Sequence, residues 1–259
     1  MAPRDVRTGF GSLLLALLAA CVPHLEPVEP IESDRPDETE STALVPAGMI
    51  QAEGGVTISR NGNVHETTSG ETLIRIGLAP SLELRVEPLT LTTVSGQGIG
   101  SESGREDAAV GIKAPLYRRP EGSPALTPDL SLILATSLPT GTRSLRADGP
   151  EPEVKLAAQW ELAPRIDAGA NLTARRGREQ GDSYRETGIT TTLGLTLSDR
   201  LGSYIEWYGT RDQREAAARQ VVNAGLTFRL TGDFQLDGRV GKVRGEEGGF
   251  AGIGMAARW

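Results

Sequence analysis

The chain ends on an alternation. From Gly248 to Trp259 the odd positions carry Ala251, Ile253, Met255, Ala257 and Trp259, and the even positions carry Gly252, Gly254, Ala256 and Arg258. A period of two puts one set on each face of a strand. The same pattern recurs upstream, with mostly apolar residues at every second position through 56–58, 72–78, 82–88, 108–116, 130–138, 154–162, 166–174, 187–197, 201–207, 222–230 and 234–240. That makes about twelve strands, an even number. The pattern predicts an all-β, antiparallel up-and-down transmembrane β-barrel over residues 49–259, with apolar positions facing lipid and the others facing the lumen. Pro88 marks a strained or edge-like position in its strand.

The connections sharpen this expectation. Pro80-Ser81, Pro164-Arg165, Asp199-Arg200 and Gly232-Asp233 read as tight turns. Between them lie longer polar stretches at 60–70, 92–106, 139–152, 177–183, 210–219 and 244–249. Short and long connections alternate, as they do when one end of a barrel carries turns and the other carries loops. The exception is 118–128, a longer connection on the short-turn side. Trp160, Phe228, Phe234 and Trp259 fall on outward positions near the short turns, where one aromatic girdle belongs; Trp207 falls on the opposite side. A soluble two-sheet sandwich is the alternative, and it gives no reason for loops to sort by parity.

Composition limits the function. The formal charge of -7 argues against a nucleic-acid partner. No stretch after residue 21 is long and apolar enough to span a bilayer as a helix. Residues 1–20 join Arg4 and Arg7 to an apolar run and to Leu18-Ala19-Ala20-Cys21, the form of an export signal whose end resembles a lipoprotein cleavage site. Cys21, the single cysteine, is then the expected lipidation site; an ordinary signal with an incidental cysteine is the alternative. Residues 21–48 hold five prolines and an acidic cluster without periodicity, which predicts a disordered, solvated tether.

The inward positions are the candidate functional surface. The cations are Arg75, Arg85, Lys113, Lys155, Arg175, Arg229 and Arg239; the carboxylates are Glu83, Glu87, Glu161, Asp167, Glu186, Glu206 and Asp237. Interspersed signs fit either a wet pore or a lumen knitted by cross-strand pairs. Around Pro80, matching Leu78 to Leu82 sets Arg75 opposite Arg85, with Glu83 and Glu87 diagonal to them. Glu161 falls opposite Asp167, a pair that either recruits a cation or is solvated beside an arginine such as Arg165. No cofactor or metal motif is present; His24 and His65 are the only histidines, and no nucleophile motif accompanies either.

Several strings, among them ETLIRIGLAPSLELRVE (71–87), SLPTGT (137–142), WELAPRIDAGANLTARR (160–176), TLSDRLGSYIEWYG (196–209) and NAGLTFRLTGDFQLDGRVGK (223–242), resemble the outer-membrane proteins named for the meta-cleavage pathway of phenol degradation. The resemblance runs from about residue 49 onward. It implies a barrel in the bacterial outer membrane and uptake of small, aromatic or otherwise apolar organic solutes; it carries no catalytic residues. The expected partners are outer-membrane lipid and a small solute, with both termini periplasmic. A plugged structural or binding barrel is the alternative function.

Overall fold

The computed structural model describes residues 29–98, 100–179 and 181–259. The signal and Cys21 lie outside them. Fourteen strands form: β1 (Ile50–Asn61), β2 (Val64–Ala79), β3 (Leu82–Glu87), β4 (Leu91–Gly96), β5 (Gly100–Arg105), β6 (Ala108–Tyr117), β7 (Asp129–Leu138), β8 (Glu151–Ala163), β9 (Ile166–Glu179), β10 (Asp182–Thr196), β11 (Leu201–Asp212), β12 (Arg219–Thr231), β13 (Phe234–Val243) and β14 (Gly248–Arg258). All pairings are antiparallel, and β14 zips onto β1 from Gln51↔Arg258 to Asn61↔Gly248, closing a single sheet. A sandwich is therefore excluded.

The wall has twelve strands. β3 and β4 both pair with β2, one beside each half of it, while β5 pairs with β4 and β6 with β3. The two pairs are thus two wall strands, each broken once. The first break falls at 88–90, where Pro88 supplies no N–H to a ladder. Opposite it, β2 bulges through Gly70 and Glu71, both with positive φ (90° and 40°). The bulge turns the Glu71 carboxylate to Arg35, 2.6 Å away. A non-glycine residue held in that region is strained backbone, here tied to a contact inside the barrel.

Parity holds along the wall. Leu172, Leu193, Ile205, Leu226, Val240 and Ile253, all at predicted outward positions, are exposed. The most deeply buried large side chains are instead mostly polar: Arg75, Lys113, Gln51, Glu83, Glu206 and Asn171, with Val221 the apolar exception. Such inversion has a physical reason only if lipid solvates the outside.

Two expectations need correcting. The first concerns the long loops at 60–70 and 177–183, which are ladder almost throughout: β1 and β2 meet at Asn61↔Val64, and β9 and β10 at Glu179↔Asp182. The 92–106 stretch is the β4–β5 hairpin. Runs such as His65-Glu66-Thr67-Thr68-Ser69 carry no apolar period, because both of their faces meet water, so periodicity misses them. The second correction concerns the tether. Residues 29–48 are not a solvated linker; they lie inside the barrel.

Candidate functional site: a lumen filled by the N-terminal segment

The segment enters at the short-turn end. There the Ile31 amide donates to Gly232 O (2.6 Å), and Arg258 donates to Glu29 O (2.7 Å). It leaves at the same end, where the Gly48 amide donates to Gly77 O (2.8 Å) and the Ile50 amide to Trp259 O (2.9 Å). Between these points it circles the wall. Arg35 lies against β1 and β14, with its guanidinium over Gly55 and Gly254, whose missing side chains leave the room. Glu206 of β11 accepts from the Glu38 and Thr39 amides and from Thr39 Oγ1 (2.6 Å). Asn171 of β9 pairs with both backbone groups of Glu40, at 2.7 and 3.0 Å. Gln159 of β8 accepts from the Thr42 amide, and Ser131 of β7 donates to Thr42 O. Glu83 of β3 accepts from the Val45 amide (2.8 Å). Backbone groups buried without a regular partner are costly, and here side chains of the wall supply the partners.

Charge organises the centre. Arg75 and Arg85 face each other across the β2–β3 ladder as expected. Their repulsion is relieved by Glu83, whose Oε1 lies 3.0 Å from each, and by the segment's Asp34, at 3.2 Å from Arg75 and 2.8 Å from Arg85. Arg75 also meets Glu53 (3.2 Å) and the carbonyls of Glu32 and Ala43. Lys113 lies 3.5 Å from Asp34, and Glu40 joins Arg85 to Lys155. On the other side Arg35 reaches Glu71 and Asp237, while Arg239 reaches Glu38 and Pro36 O. The Arg75–Arg85 ladder is therefore no exposed rung but the buried seat of the segment.

Arg75, Arg85, Glu83, Lys113, Lys155, Glu206, Asp237 and Arg239 thus converge on one feature. The other predicted lumen residues do not. Glu87 lines the cavity above the segment. Arg175 and Glu186 pair with each other at 3.0 Å, nearer the long-hairpin end. Arg229 donates to Asp199 O at a short turn. Glu161 and Asp167 are cross-strand partners, yet Glu161 is largely exposed and pairs with Arg119, not Arg165. Sequence reasoning overlooked Gln51, Glu53, Ser131, Gln159, Asn171 and Asn223. For five of them the signal was available: uncharged polar side chains at inward parity, which a search for charges alone passes over; Glu53 is charged but lies in β1, where the apolar period is weak.

The segment divides the lumen. A cavity of about 450 Å³ lies toward the long hairpins, bounded by Glu71, Glu87, Glu106 and Glu153 of the wall. A second, of about 260 Å³, lies toward the short turns, beside Arg200, Tyr204 and Arg229. Arg35, Pro36 and Asp37 border both, so the partition is one chain thick.

The segment enters and leaves by one end, so it spans nothing itself, and its carboxyls answer to the wall. Burial pushes Asp34 up, but the charges of Arg75, Lys113 and Arg85 outweigh it and hold the carboxyl well below the usual range. Burial of Glu40 is likewise outweighed by Arg85 and Lys155, which bring it down to about 2. A depressed carboxyl contributes stability that is present above its unfolded value, about 4, and is lost as pH falls through the folded one. Asp37 is pushed the other way, up, by burial and by the nearby Glu206 carboxylate, so its protonation tightens the seat as pH falls. The seating should therefore not weaken between pH 8 and 5 and should weaken only from about pH 4 toward 2. Labelling of a cysteine placed at Val45, followed across pH with a pH-tolerant disulfide reagent, checks this; release near pH 6 would contradict it.

Comparisons with known proteins agree with the architecture. The family described as "Putative MetA-pathway of phenol degradation" matches residues 33–259, a span that takes in most of the lumen segment. No curated protein matches the sequence. Among solved structures, the NanC porin is similar over 80% of this chain and 98% of its own, with TM-score 0.54 and 9% identity. The KdgM porin covers 79% and 98%, with TM-score 0.48 and 12% identity. At such identities the likeness to NanC is one of fold.

Proposed function

Because the chain belongs to that family of outer-membrane β-barrels, we propose that it is a channel for small organic solutes, held shut by its own residues 29–48. The observation that supports this is the partition: two cavities, one toward each end of the barrel, both bordered by the single stretch of chain Arg35–Asp37. A lumen meant only to be solid is more cheaply filled by apolar side chains from the wall, since buried ion pairs seldom outdo a packed apolar core. A polar seat makes sense for a part that must come out into water. The tight turns and both ends of the barrel then face the periplasm, the long hairpins face outward, and a lipid on Cys21 keeps the segment's base at the inner leaflet.

The lining narrows the solute class. With the segment out, the wall around the cavity toward the long hairpins keeps five carboxylates, Glu53, Glu71, Glu87, Glu106 and Glu153, and three cations, Arg85, Lys155 and Arg239. Small polar solutes suit such a lining better than the apolar aromatics that the family resemblance implies. No catalytic role is proposed. His65 stands at the far end of β2, opposite Arg60 and Ser95, and among the described residues it has no side-chain hydrogen bond to orient its ring.

The second reading, a plugged structural or binding barrel, is favoured by how fully the wall satisfies the segment. Single-channel recording in a planar bilayer separates the two. The full chain should be silent or show rare brief openings, and a chain lacking residues 32–46 should give steady steps of current. A folded, truncated barrel that stays silent would leave the plugged reading standing.

A further inference from the structure

The outward face of the barrel changes character abruptly at the long-hairpin end. On β9 the outward positions run Ile166, Ala168, Ala170, Leu172, Ala174 and then Arg176. From Ile166 to Ala174 is about 26 Å of strand, or about 20 Å of height at a tilt near 40°, close to the full apolar band. Arg176 is the next rung. Its cross-strand partner is Arg185 of β10, so two arginines stand directly opposite each other on the outward face. One rung lower Thr187 pairs with Arg211 of β11, which places Arg211 diagonal to Arg185. All three arginines are exposed, and among the described residues none has a carboxylate within 4.0 Å. The nearby carboxylates are engaged inside or above: Glu186 with Arg175, and Glu179 and Asp212 with Arg214.

Like charges directly opposite on a ladder destabilise it. Three such groups, with no carboxylate of the described chain among them, offer a seat for an anion from outside it. The surface around them says which kind. Below the pair a groove of about 450 Å³ lies against the wall, bordered by the outward rung Leu134, Val154, Ala174 and Thr187. Above it a notch of about 220 Å³ is bordered by Ser183 and Gln213, with Arg176 donating to Ser183 Oγ at 3.4 Å. A ligand that fits both is a phosphate joined to hydrocarbon. Guanidinium groups hold phosphate oxygens in pairs, and the groove takes acyl chain.

We propose that Arg176, Arg185 and Arg211 form a binding site for the phosphate of an outer-leaflet lipid, whose chains lie along Leu134, Val154 and Ala174. The leaflet follows from the orientation given above; the phosphate and the chains follow from the surface alone. The site fixes the height of the barrel in the membrane on the side of β8 to β11.

Native mass spectrometry of the folded full chain tests it, with diphosphoryl lipid A, dephosphorylated lipid A and inorganic phosphate as probes. The unaltered protein should retain the diphosphoryl form at least tenfold more than the dephosphorylated one. The Arg176→Gln/Arg185→Gln/Arg211→Gln variant should lose that preference, and Arg185→Gln alone should lose part of it. Arg143→Gln/Arg146→Gln, in the connection before β8, should keep it. Gel mobility before and after boiling verifies that each barrel is folded. Equal retention by the triple variant, no preference in the unaltered protein, or inorganic phosphate retained as well as the lipid would each overturn the proposal. None of these readouts is a conductance, so failure of the channel reading leaves them interpretable.

Discussion

Replacing Arg75 with leucine unseats the lumen segment while leaving the cylinder closed. Arg75 is 0% exposed and is the shared partner of Asp34, Glu53 and Glu83. Removing the cation from a buried cluster leaves uncompensated charge and costs about 3–5 kcal/mol. The wall has no cheap way to absorb that cost, because its ladder is continuous from β1 to β14. The segment does: it can leave and let water reach the carboxylates. At about 1.4 kcal/mol per tenfold, the population with the segment out should rise by a factor of about 10² to a few times 10³. The measurement uses a chain with Cys21→Ser and Val45→Cys. Val45 is 3% exposed when seated. Its maleimide labelling should be slow with Arg75 present and at least a hundredfold faster in the Arg75→Leu background, with boiling-dependent mobility unchanged. Unaltered labelling would mean that Arg75 does not hold the segment.

A second large effect is steric. Gly77 faces inward where the chain leaves the lumen to begin β1, and a Cβ there would collide with the carbonyl oxygens of Val45 and Pro46. Backbone cannot swing aside as a side chain can, and two hydrogen bonds pin this contact, from Gly48 N to Gly77 O and from Gly77 N to Met49 O. Gly77→Val should therefore push the 45–48 stretch off the wall, with an overpacking cost of about 1–3 kcal/mol or more. The expected readout is steady single-channel current from an otherwise full-length chain. Gly188→Ala is the matched control, since the nearest atoms to its added Cβ are 3.6 Å away. Should Gly77→Val behave like Gly188→Ala, the segment is not held by backbone contact at that point.

Inward glycines on the strands invite the explanation that they relieve curvature. At Gly77, and at the Gly55–Gly254 pair beneath Arg35, the reason is instead the close approach of the lumen segment. The wall itself was legible in the sequence because lipid on one face and water on the other force a period of two. Arg75 opposite Arg85 followed from the turn at Pro80. What stayed hidden was Asp34 to Thr42. An acidic, proline-bearing run without periodicity looks like a linker, since its partners lie on strands dozens to two hundred residues away. The clue was complementarity: Asp34 and Glu40 carry the sign that Arg75, Arg85, Lys113 and Lys155 lack. Reading the lumen charges as balanced among themselves concealed it.

Residues 29–48 go in and come out through the same opening. A doubled-back strand of this kind is a slip-loop, and no chain end has to be drawn through the cylinder to install or withdraw it. The proposed lipid at residue 21 would then be no topological obstacle. Release of the loop, as proposed above, would leave both of its feet at that opening.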